Sequence, residues 1–285
     1  MKEFKNKVSV ITGAANGIGL ELSKESARRG MKVVMADIAE DDLEKAYNEV
    51  KEITPEVIKI VMDCTIYEDM EKLAQQTLDE FGQVDVFFNN AGVVVPGPIW
   101  ELPNVDIDYI MKSNVYNIVY GLKVFVPIMT KQGTDAHIVN TASVAGLLST
   151  PGMPTYHMTK FANVGLTESV NYQLRAANSN IKMSLYCPGF IQTDLHHCDE
   201  RRPERFAIDK DNPYYSSKSY KEGLQRAHQV ITTGIPIDSV GMMVFQAIED
   251  EQFYITTHPQ YQPIIGLRVK NILDGKNPDV SIFNK

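Results

Sequence analysis

The chain has 285 residues, 44% of them hydrophobic and 22% charged, enough for one large α/β domain with an ordinary core. Its formal net charge of −8 would repel a phosphate backbone, which argues against a nucleic-acid partner. Cys64, Cys187 and Cys198 form no visible disulfide framework, no stretch approaches the roughly 18 apolar residues of a membrane span, and no apolar signal core stands in MKEFKNKVSVITGAANGIG, so a cytoplasmic protein without a membrane partner is expected.

KVSVIT, 7–12, reads as a buried strand, followed by a glycine-rich turn from Gly13 to Gly19 and a helix over 20–29 that Gly30 stops. KVVMAD, 32–37, is a second strand, AEDDLEKAYNEVKEI a polar helix, and VIKIVMD, 57–63, a third strand. YEDMEKLAQQTLDEFG is a helix, and VDVFFNNAG, 84–92, a fourth strand entering a turn. A long helix over about 106–131 precedes AHIVNTAS, 136–143, and another over 155–177 precedes IKMSLYCPG, 181–189. Residues 194–235 break the rhythm with Arg, Tyr and His, and this insert is the candidate substrate lid. A helix at about 237–250 and a short strand, FYIT at 253–256, follow; the tail after His258 gives no clear pattern. Strands alternating with helices, rich in continuous Val and Ile, mean a parallel sheet covered on both faces. No linker or repeat divides the chain, so residues 1–285 are expected to form a single domain.

TGAANGIG, 12–19, leaves a strand and opens a helix. Backbone N–H groups at a helix N-terminus suit a pyrophosphate, and glycine lets it approach. Asp37 ends the second strand, where a carboxylate can accept hydrogen bonds from ribose hydroxyls and repel a 2′-phosphate. No basic residue follows Asp37 directly, and Asn16 precedes Gly17, so NAD is favoured over NADP.

YHMTK, 156–160, sets a phenol and an ammonium one helical turn apart on one face. Alone, the pair is also what a half-buried tyrosine beside an extended lysine looks like. A phenol titrates near pH 10, too high for a base at neutral pH, and a neighbouring cation favours the phenolate. The spacing therefore suits a general base for an alcohol proton.

Several pieces in order resemble the short-chain dehydrogenase/reductase family over most of 5–195. TGAANGIG resembles its TGxxxGxG cofactor loop, Asp63 its adenine-side acid, NNAG at 89–92 its fourth-strand signature, and PGFIQT at 188–193 its nicotinamide stretch. Asn114, Ser143, Tyr156 and Lys160 match its catalytic tetrad. The resemblance implies a Rossmann-type three-layer sandwich with a seven-stranded parallel sheet, and a homotetramer or dimer. It also implies hydride transfer between a nicotinamide and an alcohol or ketone. Cofactor contacts are implied for Gly13, Asn16, Gly17, Ile18, Gly19, Asp37, Asp63, Cys64, Asn90, Ala91, Gly92, Tyr156, Lys160, Pro188, Gly189 and Thr193. Tyr156 would be the acid/base, Ser143 would bond the substrate oxygen, and Asn114 would hold a water linking Lys160 to solvent. A non-catalytic, dinucleotide-binding redox sensor of the same fold is the alternative; such a protein would be expected to lose the Tyr or the Lys.

The expected substrate wall is Val93, Val94, Val95, Ala145, Leu147, Leu148 and Phe190, apolar enough for a bulky ring system. FYITTHPQY with Arg268 faintly resembles tails of bacterial hydroxysteroid dehydrogenases, bile-acid enzymes included, which turns the expectation toward a hydroxysteroid or another cyclic alcohol. Arg201, Arg202 and Arg205 either reach a substrate carboxylate or face solvent. His196, His197 and Cys198 read as lid or wall residues, and no metal is expected.

Overall fold

A computed structural model describes residues 1–279. Seven strands form one parallel sheet: β1 (Val8–Thr12), β2 (Lys32–Asp37), β3 (Val57–Val61), β4 (Val86–Asn89), β5 (Ala136–Thr141), β6 (Ile181–Cys187) and β7 (Tyr254–Thr256). Their order across the sheet is β3-β2-β1-β4-β5-β6-β7. Side chains of a strand alternate between faces, and here both faces are apolar. Val8 and Val10 of β1, Val34 of β2 and Phe87 of β4 enter one core with Met70, Leu73 and Phe125. Ile11, Val33, Val86 and Phe88 enter the other with Leu22, Leu43 and Phe245. That double burial is why the strands read as unbroken apolar runs.

Helices α1 (Gly17–Arg28), α2 (Glu40–Lys51) and α8 (Val240–Glu249) bury Leu22, Leu43 and Val244 on one side. Helices α3 (Tyr67–Phe81), α5 (Asn117–Gln132) and α6 (Pro154–Ala176) cover the other. The fold is therefore a Rossmann-type three-layer sandwich. Chain direction across the sheet reverses between β1 and β4, the topological switch point where open α/β sheets bind ligands beyond the carboxyl ends of their strands.

Three features depart from the sequence expectation. The long helix over 106–131 is α4 (Asn104–Met111), a π-helical turn (Lys112–Tyr116) and α5, with Asn114 inside the turn. The insert holds three short 3-10 turns and a helix, α7 (Lys218–Thr232), which its polar composition hid. The tail carries α9 (Gln262–Leu273), with no buried residue to give it an apolar stripe. No helix among the described residues is long and apolar enough to cross a membrane.

Candidate active site

The cofactor end starts where β1 runs into α1. Asn16 caps the helix without a side-chain hydrogen bond, and no acid stands in the first turn. The free N–H groups and the helix dipole therefore face outward, as an anion site requires. A side chain at Gly19 has no room: a Cβ there would lie 1.9 Å from the Gly13 carbonyl oxygen. Asp37, at the end of β2, is fixed by two backbone donors, Ala15 N–H to Oδ2 at 3.0 Å and Ala39 N–H to Oδ1 at 3.0 Å. Burial pushes its carboxyl upward, while those N–H groups and the charge of Arg201 pull it back. Asp63 Oδ1 accepts the Thr65 N–H at 2.9 Å and the Thr65 hydroxyl at 2.7 Å.

The turn after β4 is stitched to both neighbouring strands. Thr12 Oγ1 accepts the N–H groups of Asn90 at 3.0 Å and Ala91 at 3.2 Å, and Thr141 donates to Asn90 Oδ1 at 3.1 Å. Asn117 donates to the Ala91 carbonyl at 2.7 Å. Gly92 must be small, because a Cβ there would meet Asn114 Oδ1 at 3.2 Å and Lys160 Nζ at 3.5 Å.

Tyr156 and Lys160 stand one turn apart on α6, with Nζ 5.5 Å from the phenol ring centre. Lys160 is buried and donates to the Thr141 carbonyl at 3.2 Å. Burial lowers its pKa to about 8, partly offset by Cys187. Burial pushes the Tyr156 phenol up to about 12, opposed by a hydrogen bond with Ser143. With the chain's own groups alone, burial is therefore the largest influence on the phenol. Ser143, beyond β5, donates to the Pro188 carbonyl at 3.2 Å and accepts the Ala145 N–H at 3.1 Å.

Every residue expected to contact the cofactor lines one continuous cleft with Ser143. Asn114 lies behind that wall. Its two amide hydrogens go to the Val93 carbonyl at 2.9 Å and Thr159 Oγ1 at 3.1 Å, and its Oδ1 accepts the Val93 N–H at 2.7 Å. Its side chain thus pins a loop to α6. The expected apolar wall holds for Val93, Val94, Ala145, Leu148 and Phe190. Val95 instead packs with Leu102 and Tyr109, and Leu147 packs with Val164 and Leu185. Residues of the insert complete the cleft, among them Leu195, Cys198, Ala227, Val230 and Ile231.

Arg201, Arg202 and Arg205 are ion-paired, neither free for a substrate nor merely solvated. Arg201 pairs with Asp194 and lies 3.5 Å from Asp42; Arg202 is buried between Asp106 and Asp199. Arg205 bonds Asp63 at 2.5 Å and also Thr65. Asp194, His196 and His197 each bring a donor atom within 4.8 Å of the others, but Asp194 is already shared by Arg201 and His197. Two histidines were missed by sequence reasoning. His157 accepts the Thr150 N–H at 3.0 Å and bonds the Ala145 carbonyl at 2.8 Å, holding the loop after Ser143. His258 accepts the Gly189 N–H at 3.1 Å and bonds the Phe190 carbonyl at 3.0 Å, and burial lowers its pKa. The only hint was a lone His after a strand.

A cleft with a phosphate-type helix start, a ribose-type acid and a buried Tyr–Lys pair defines a dinucleotide-dependent oxidoreductase. A model of the short chain dehydrogenase family matches residues 7–203, and the chain belongs to that family. It is an oxidoreductase of CH–OH groups. A "CLA biosynthesis dehydrogenase/reductase" of Lactiplantibacillus plantarum is 46% identical over 100% of this chain and 99% of that protein. A "1-deoxy-11-beta-hydroxypentalenate dehydrogenase" of Streptomyces exfoliatus is 34% identical over 67% of this chain and 70% of its own. The crystal structure of a short chain dehydrogenase/reductase from Burkholderia phymatum in complex with NAD has a TM-score of 0.94 at 36% identity, covering 98% of both chains.

Proposed function

We propose that the protein interconverts a secondary alcohol and a ketone carried on a long apolar body, with NAD as cofactor. The carrying observation is that Ser143, Tyr156 and Lys160 share one cleft with Asp37 and the glycine loop. Oxidation removes a hydride from carbon and a proton from oxygen. NAD supplies the hydride acceptor and a positive charge when bound. The glycine loop and the α1 terminus would hold its phosphates, and Asp37 its adenosine ribose. Tyr156 takes the hydroxyl proton; Ser143 bonds the same oxygen as its charge develops. Lys160 steadies the deprotonated phenol. Asn114 is a positioning residue for the loop at Val93 and for Thr159 on α6. Residues 194–235 close the substrate half as a lid.

The substrate half is walled by Val94, Leu148, Met153, Leu195, Val230 and Ile231. Asp37 and Asp63 are the acids lining the cleft among the described residues, and both stand at the adenosine end. A polyhydroxylated substrate finds few partners on such walls. The relative named for CLA biosynthesis is matched along the whole of this chain, which supports a shared substrate class. A hydroxylated fatty acyl chain is therefore the favoured substrate. A cyclic alcohol, a hydroxysteroid included, is the second reading, supported by the hydroxypentalenate dehydrogenase relative. We place the enzyme in the cytoplasm as a homo-oligomer.

The test follows NADH formation with NAD+ and a panel of hydroxy fatty acids, hydroxysteroids and cyclic terpenoid alcohols, with NADP+ in parallel. Turnover of a hydroxy fatty acid with NAD+ is the expected result. Turnover confined to cyclic alcohols overturns the acyl reading, and silence across the panel overturns both.

A further inference from the structure

Four arginines stand in the insert, Arg201, Arg202, Arg205 and Arg226. The first three are neutralised by Asp194 and Asp42, by Asp106 and Asp199, and by Asp63. Arg226 is different. It is exposed on α7, and no carboxylate of the described residues lies within ion-pair distance of it. Its Nη1 lies 3.4 Å from where a Cβ on Gly152 would stand. Gly152 borders Met153, and Arg226 borders Ala227; both Met153 and Ala227 line the cleft. Gly223, on the same face of α7, packs on Pro96, so this face looks onto the body of the protein. Arg226 is therefore an exposed cation one residue from the cleft lining on α7 and close to Gly152, which precedes the lining residue Met153.

We propose that Arg226 is a specificity-determining residue that receives the free carboxylate of a long-chain hydroxy acid. The proposal rests on the reading of the substrate as a hydroxylated acyl chain. The hydrocarbon lies along Leu148, Val230 and Ile231, and the charged end emerges beside the guanidinium. A chain with a net charge of −8 repels anions at long range, so an acid needs a local cation at the entrance. The fork of an arginine matches a carboxylate in two parallel bonds, which a lysine cannot reproduce. The substrate half supplies no acid to oppose it.

The experiment compares a hydroxy fatty acid with its methyl ester, using NAD+ and the full chain as wild type, Arg226→Gln and Arg226→Lys. In wild type the ester is expected to show a KM about tenfold higher than the acid, with kcat within about twofold. Arg226→Gln raises KM for the acid by the same factor and leaves the ester unchanged. Arg226→Lys restores part of the preference. A purely structural role for Arg226 would impair acid and ester alike, and that outcome overturns the proposal. So does an acid preference that survives in Arg226→Gln. If wild type oxidises neither acid nor ester but does oxidise a cyclic alcohol, the acyl reading itself has failed, and the anchor falls with it.

Discussion

Asp37 meets two backbone donors and stands under the field of Arg201, a residue that arrives from the insert more than a hundred positions later. The carboxylate repels a 2′-phosphate, whereas the guanidinium would attract one. Asp37→Ser removes the repelling charge and leaves the attracting one. The ratio of kcat/KM for NAD over NADP is expected to fall at least about a hundredfold, on the order of one lost charge-assisted contact and one gained. Tyr156→Phe keeps NADH binding, read by its fluorescence, and abolishes turnover; a residual rate above a few per cent would refute the phenol as the proton acceptor. Lys160 carries a pH signature of its own. Its pKa falls from 10.5 in an exposed chain to about 8 in the fold. Between those limits the unfolded chain binds the extra proton, so stability rises with pH there and is lost as pH falls through about 8. Lys160→Met, free of that proton, is expected to lose this slope in denaturant titrations at pH 8 and pH 10.

The insert is held by charges at the scale of elements. Asp106, at the start of α4, takes Arg202 and also accepts the Tyr215 hydroxyl at 3.1 Å, and both acid and guanidinium are buried. Removing one partner from a buried pair costs about 3–5 kcal/mol. Arg202→Ala is therefore expected to raise local opening of residues 195–216 about a hundredfold or more, read as faster proteolysis or amide exchange there, with β1 to β5 unaffected. These ties also mark the boundary of what the sequence discloses. The sheet is legible because doubly buried strands are apolar at every position. Asp37, the glycine loop and the turn after β4 are legible because they stand at strand ends with local spacing. Arg205 with Asp63 is not legible, since the partners are 142 residues apart. Nor is the tie between Asn114 and Thr159, which stand on different helical segments 45 residues apart. Helix α7 escapes notice because its buried contacts reduce to Ala227 and Ile231 in an otherwise polar run.

At the scale of the whole molecule, α9 is incomplete by itself. Leu267, Val269, Ile272 and Leu273 are 41%, 45%, 61% and 81% exposed, on a helix that buries nothing. Such surface is normally covered by a partner, and the expected one is a second copy. Sedimentation should give a species heavier than 32.0 kDa, and Ile272→Glu with Leu273→Glu should shift it toward that mass. The ties over the adenosine end lead to a different kind of expectation, one about sequence in time. Arg201 and Pro203 wall that end, and Arg205 holds Asp63 there. These ties fasten the insert over the nucleotide at Arg201 and Arg205, and the alcohol would reach its half past the remainder of the lid. The nucleotide must then enter before the alcohol and depart after the ketone. Product-inhibition kinetics should show NADH competing with NAD+, while the ketone inhibits noncompetitively against it. A random pattern would mean that the Arg205 contact opens as freely as a surface loop.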